Sequence, residues 1–162
     1  MIKKAGVHPP FLYLCYKSVV TNLFIMPRPK HQRKMLAPPP MVGYKPFGIP
    51  GRSLQSVCLL LEEYETIRLL DYEHLTQEQA ALRMGVSRPT LTRIYDQARK
   101  TIAKAFVEGK MIEIGGGNVD FDRKWYRCRK CHRVMEEEAS HKPCGNCNQL
   151  GDEALEPINQ EK

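Results

Sequence analysis

The sequence predicts a mainly α-helical protein: a helix-turn-helix domain followed by a small C-terminal zinc ribbon with short β-strands. Three observations carry that expectation. Residues 75–99, LTQEQAALRMGVSRPTLTRIYDQAR, read as two helices with a tight turn between them. Two CxxC pairs, Cys128/Cys131 and Cys144/Cys147, have the pattern of a four-thiolate metal site. A basic, proline-rich segment without acids precedes both.

The helix pair is legible residue by residue. Thr76 is placed to N-cap the first helix, and Gln79 three residues on completes a capping box. Ala80, Ala81 and Met84 are small or flexible apolar residues suited to close helix contact. Gly85 follows where a helix that must stop needs a left-handed residue. Val86 plugs the turn and Ser87 caps the second helix, whose apolar positions Leu91, Ile94, Tyr95, Ala98, Ile102, Ala105 and Phe106 follow the helical period. The opposite side carries Pro89, Arg93, Asp96, Lys100 and Lys104, with Arg88, Thr92 and Arg99 on the flanks. A second helix of this kind can lie in a DNA major groove. Arg88 and Arg93, early in that helix, have the side chains best able to bond guanine edges in pairs.

Charge is unevenly distributed. The 162 residues carry 25 Lys and Arg against 18 Asp and Glu, a net charge of +7. Residues 1–60 contain no acid, residues 61–110 are balanced, and residues 111–162 are slightly acidic. The excess therefore belongs to the N-terminal segment, which suits a polyanionic partner. In residues 1–25, Lys3 and Lys4 precede an apolar run that Lys17, Thr21 and Asn22 interrupt. The run is shorter than a bilayer span, and no small-residue cleavage site follows. Residues 1–25 are expected to be an upstream extension or disordered lead, with Met26 the true start, and the protein is expected in the cytoplasm with no membrane partner. Residues 26–53 form a proline-rich basic arm that can track phosphates through Arg28 and Lys30.

Residues 54–110 are assigned to the helix-turn-helix domain. Residues 54–61 suggest a short extended segment, and residues 62–72 a supporting helix with Glu62, Glu63 and Glu65 in its first turn, where the helix dipole favours acids. Residues 111–124 read as a glycine-containing linker or hairpin, with two short strands on either side of Gly115, Gly116 and Gly117. The glycines lack the lysine of a phosphate-binding loop and read as a turn.

Residues 26–114 resemble the prokaryotic family of small predicted DNA-binding proteins labelled domain of unknown function 134. The resemblance rests on MPRPK at 26–30, LEEYETIRLLDYEHLTQEQAA at 61–81, MGVSRPTLTRI at 84–94 and ARKTIAKAFVEGK at 98–110. It implies a helix-turn-helix similar to region 4 of sigma factors, with base-contacting positions at Arg88, Pro89 and Arg93. Proline at position 89 replaces a side chain that would hydrogen-bond there.

Residues 125–150 are assigned to the ribbon and 151–162 to a disordered tail. Cys128, Cys131, Cys144 and Cys147 are the expected ligands of a structural Zn2+, with Trp125 and Tyr126 as apolar support. Arg127, Arg129, Lys130 and Lys142 would offset the charge of four thiolates. A rubredoxin-like iron site, a redox-sensing zinc site and two disulfides are the alternatives.

The expected function is sequence-specific binding of double-stranded DNA in transcriptional regulation. Arg88 and Arg93 are the leading base readers. Ser87, Thr76, Thr90, Thr92, Lys100 and the arm hold phosphates and register. The transcription machinery and a second copy of the chain are further candidate partners. The competing reading is a protein-interaction adaptor that docks through the helical domain and the ribbon. An enzyme is not expected, since no nucleophile motif or open metal site is apparent and the acids fit helix ends and solvated faces.

Overall fold

The computed structural model describes residues 31–50, 54–129, 131–136 and 155–158. In chain order these form β1 (Arg33–Met35), β2 (Gly43–Tyr44), β3 (Ser56–Leu59), α1 (Leu61–Ile67) continued by a π-helical turn (Arg68–Tyr72), α2 (Gln77–Met84) and α3 (Arg88–Glu108). Then come β4 (Met111–Ile114), β5 (Val119–Phe121), β6 (Trp125–Cys128), β7 (Val134–Glu136) and β8 (Leu155–Pro157). About 39% of the described residues are helical and 25% are in strands, in three sheets. The fold is therefore mixed α and β, not mainly α. The described residues also contain no group of three or more His, Cys, Asp or Glu side chains able to hold a metal. The expected class, a mainly α protein with a zinc ribbon, is corrected on both counts. β3, β4 and β5 fall where the sequence suggested short extended segments, whereas β1 and β2 escaped notice because they span three and two residues, too few to display an alternating pattern.

The helices end where local chemistry stops them. Thr76 Oγ1 accepts from Gln79 N, and the Gln79 side chain accepts from Thr76 N at 2.9 Å. Gly85 closes α2 with φ of 64°, the left-handed conformation that a Cβ disfavours. Ser87 caps α3, Pro89 occupies its first turn, and Gly109 ends it with φ of 62°. Leu69, Ala80, Ala81, Met84 and Leu91 form the buried cluster, with Leu70, Leu75 and Val86 packed against it. Leu91, Ala98 and Ala105 are the buried residues of α3. They recur every seven positions, so Phe106 is turned about 100° off that seam. It is 89% exposed, not buried as the periodicity suggested.

The sheets tie distant segments together. In the central one the order is β2-β4-β3, with β4 antiparallel to β2 and parallel to β3. Val57 lies opposite Ile112 and Leu59 opposite Ile114, so the whole helical unit is a crossover between two paired strands. The strands on either side of the three glycines do not pair with each other. β5 instead runs parallel to β1, placing Arg33 opposite Val119 and Met35 opposite Phe121. The described part of the expected arm thus contributes β1 and β2, and Met35 is fully buried. At the far end β6 is central, antiparallel to β7 and β8.

Candidate nucleic-acid interface

The second helix of the pair begins at Arg88, three residues intervening after Met84 ends α2, and runs for 21 residues. Its buried seam leaves Arg88, Pro89, Thr92, Arg93, Asp96, Arg99 and Lys100 exposed. Ser87 and Thr76 are also exposed, while Thr90 is half-buried. The hydroxyls of Ser87 and Thr90 lie 2.8 Å apart. Ser87 and Thr76 are engaged as caps, so their hydroxyls already have partners in the free protein.

The basic side chains of this ridge differ in how they are held. Arg88 pairs with Glu78 of α2 at 3.1 Å and donates through Nε to Gln77 Oε1 at 3.3 Å. Thr92 Oγ1 donates to the Arg88 carbonyl at 3.0 Å and reaches the same Gln77 oxygen at 3.4 Å. Both partners of the Arg88–Glu78 pair are largely solvated, so it contributes little and is readily exchanged for a stronger anion. Lys100 pairs with Asp96 one turn back at 2.6 Å, and the Arg99 guanidinium sits 5.6 Å from the centroid of the Tyr95 ring. Tyr95 donates to Asp71 at 2.6 Å, a bond that, with burial and the Asp71 charge, raises its phenol pKa. Arg93 is exposed and makes no ion pair with a described residue. The sequence named Arg88 and Arg93 but missed Gln77 and Glu78, which lie one helix away and orient Arg88. Arg28 and Lys30, the expected contacts of the arm, lie outside the described residues, as do residues 1–25.

Behind this ridge lies a cluster of acids that the sequence did not reveal as buried. Glu62, Glu63 and Glu65 are buried on α1, not placed on a solvated face. Glu62 Oε1 is 3.3 Å from the Arg33 guanidinium, and its Oε2 accepts the Asn118 amide at 3.1 Å. A Cβ on Gly117 would fall 1.9 Å from that same oxygen and would push the carboxylate aside, and the φ of 93° at this position also favours glycine. The glycine run thus touches the start of α1 at two points, Gly117 against Glu62 and the Gly116 carbonyl, which accepts from Leu61 N–H at 3.4 Å. Glu65 is paired with Arg68 through two contacts, and Arg68 also reaches Glu73, which Arg83 holds at 2.8 Å.

Burial raises the Glu63 pKa, only partly countered by the Leu60 amide that donates to its carboxylate at 3.0 Å. A folded-state pKa above the unfolded one means the native state holds more protons, so this group's contribution falls as pH rises above the ordinary carboxylate range. Glu63→Gln is therefore expected to remove part of the stability loss between mild acid and neutral pH. Urea midpoints measured across that interval for both proteins check it. Parallel curves would exclude Glu63 as the source.

The C-terminal sheet brings Cys128 and Cys131 to one hairpin turn. His132 N–H donates to the Cys128 carbonyl at 2.8 Å, Cys128 N–H donates to the Arg133 carbonyl at 2.9 Å, and His132 has φ of 58°. Cys128 is buried and Cys131 half-buried. Closely spaced thiols on a tight turn suit a thiophilic ion such as Zn2+. The other two expected ligands, Cys144 and Cys147, lie outside the described residues. Two basic residues of this sheet region are engaged within the protein. Arg123 pairs with Glu136 at 2.6 Å. Arg127 donates to the Pro39 carbonyl at 3.2 Å and has its pKa lowered by burial.

These features define a small α+β protein built around a capped helix pair that presents an exposed cationic ridge. The chain belongs to the family described as "Protein of unknown function DUF134", which matches residues 23–122. A UPF0251 protein of Chloroherpeton thalassium is 40% identical over 133 residues, covering 82% of this chain and 87% of the relative. One from Moorella thermoacetica is 43% identical over 75% of this chain and 83% of its own length. A third, from Methanococcus vannielii, is 43% identical over 72% of this chain and 82% of its own length. No solved structure matches the chain. No helix among the described residues is long and apolar enough to cross a membrane.

Proposed function

We propose that this protein binds double-stranded DNA sequence-specifically, as a cytoplasmic transcriptional regulator, using α2 and α3 as a helix-turn-helix similar to region 4 of sigma factors. The observation that carries the reading is the ridge of α3: Pro89 and Arg93 are exposed opposite the buried Leu91–Ala98–Ala105 seam, and Arg88 and Thr92 are exposed on its flanks. Insertion of that face into a major groove would bring Arg93 to base edges. Arg88 would leave Glu78 for a base or phosphate, and Thr76, Ser87, Thr90, Thr92 and Lys100 would hold the backbone. The protein acts by binding and not by catalysis in this reading, and pairing of two copies would match two half-sites.

Selection of bound fragments from random duplex DNA tests it. An enriched motif supports the reading, and palindromy in the motif supports pairing. Failure to retain any duplex at low ionic strength would sink it. On the selected site, Arg93→Ala is expected to cost about 1–3 kcal/mol and to relax preference at one base position. A uniform loss on every sequence would instead make Arg93 a phosphate contact.

The second reading, a protein-docking adaptor that also engages the transcription machinery, is favoured by one observation. Phe106 and Val107 stand more than four-fifths exposed near the end of α3, an arrangement that suits a covered surface. Salt-insensitive retention of a protein partner, without duplex binding, would favour it.

We propose further that Cys128 and Cys131 ligate a structural Zn2+ together with Cys144 and Cys147. The ion would crosslink the C-terminal segment. Elemental analysis is expected to find one zinc per chain, and chelation to speed amide exchange in β6–β8 while leaving α1–α3 protected. Colourless, metal-free protein with the same exchange pattern would exclude it.

A further inference from the structure

The root of the basic arm is built into the fold beside the turn between α2 and α3. β1 packs against both α1 and α2. Within it, two adjacent cations have opposite fates. Arg33 is turned inward: its guanidinium is largely buried, 3.3 Å from Glu62, and Glu62 is itself fixed by the Asn118 amide. Lys34 is turned outward and exposed. Its stem crosses the turn, since a Cβ on Gly85 would lie 3.8 and 3.9 Å from Lys34 Cγ and Cδ. Gly85 is two residues from the cap of α3 and three from Arg88.

We propose that Lys34 is a phosphate-contacting residue of the duplex-binding surface, set beside the head of α3 by the Arg33–Glu62 ion pair, and that Arg33 itself touches no nucleic acid. The proposal rests on the DNA-binding reading above. Sequence alone gives Arg33 and Lys34 equal standing in one basic run, and the fold separates them. A long flexible ammonium on a fixed strand makes a point-charge contact to the backbone, which adds affinity without base preference. Arg33 and Glu62 are positioning residues. With the strand held, the Lys34 stem stays against Gly85, three residues before Arg88.

The test measures binding to a random-sequence duplex as a function of salt. Lys34→Gln is expected to lower the slope of log affinity against log salt by about 0.9, so that its deficit relative to wild type shrinks about threefold between 50 and 200 mM salt. Lys34→Arg is expected to restore the slope. Lys110→Gln, past the far end of α3, is expected to leave it unchanged. Glu62→Gln retains an acceptor for the Asn118 amide while removing the charge that holds Arg33, and is expected to lower the slope as Lys34→Gln does. If wild type binds duplex and Lys34→Gln keeps the full slope, the contact is wrong and the DNA-binding reading stands. If Glu62→Gln alone keeps it, the clamp is wrong. If wild type ignores duplex at low salt, the DNA-binding reading and this proposal fall together.

Discussion

Replacing Leu91 by alanine is expected to destabilise the protein by about 2–5 kcal/mol, measured as a lowered urea midpoint at unchanged slope. Leu91 is fully buried and joins α3 to the cluster of Leu69, Ala80, Ala81 and Met84. Its neighbours include two alanines whose small side chains cannot fill the gap. The loss should also reach function, because Leu91 sits on the underside of the turn that carries Arg88, Thr92 and Arg93. Leu91→Met, which nearly conserves volume, should retain most of the stability. A loss below about 1 kcal/mol for the alanine variant would mean that the α2–α3 contact is looser than the packing indicates.

Arg68→Met should be comparably damaging, at about 3–5 kcal/mol. Arg68 serves Glu65, which is 2% exposed, and Glu73, which also pairs with Arg83. Its guanidinium pKa is raised, chiefly by the Glu65 hydrogen bond. Methionine would preserve much of the stem but strand a buried carboxylate. The double variant Arg68→Met with Glu65→Met removes both charges and is expected to recover much of the loss, since two apolar groups carry no unpaired charge. Chemical denaturation of the two variants and the matching Glu65→Met single variant completes a double-mutant cycle. A strictly additive cycle would show that Arg68 and Glu65 do not interact.

The helix pair was readable because its signals are local. A Thr76–Gln79 box, a glycine at 85 and a serine at 87 each act within four residues, and the structure realises all three. What could not be read depends on partners far away in sequence. Glu62 looks like a solvated helix-start acid until Arg33 and Asn118 are known to meet it. Gly117 looks like a loose turn until Glu62 is found against it. β1 was hidden between proline-rich stretches, and its burial of Met35 depends on β5, more than eighty residues later. On the proposed interface, helical spacing put Arg88 and Arg93 on the outside of α3, and both are exposed. Gln77 and Glu78 were missed because contact across two helices has no signature in either helix alone. The fold class went astray for a related reason: short strands announce themselves through their neighbours.

The parallel pairing of Ser56 with Met111 and Leu59 with Ile114 has a consequence for how the protein is made. During synthesis, the helices leave the ribosome before β4 exists to fasten their two ends. Such a late, long-range closure is costly in entropy and slow to form. A nascent chain halted just after Glu108 would carry every residue of the cationic ridge yet lack the strand that anchors it, so the finished surface belongs to chains extended past Ile114.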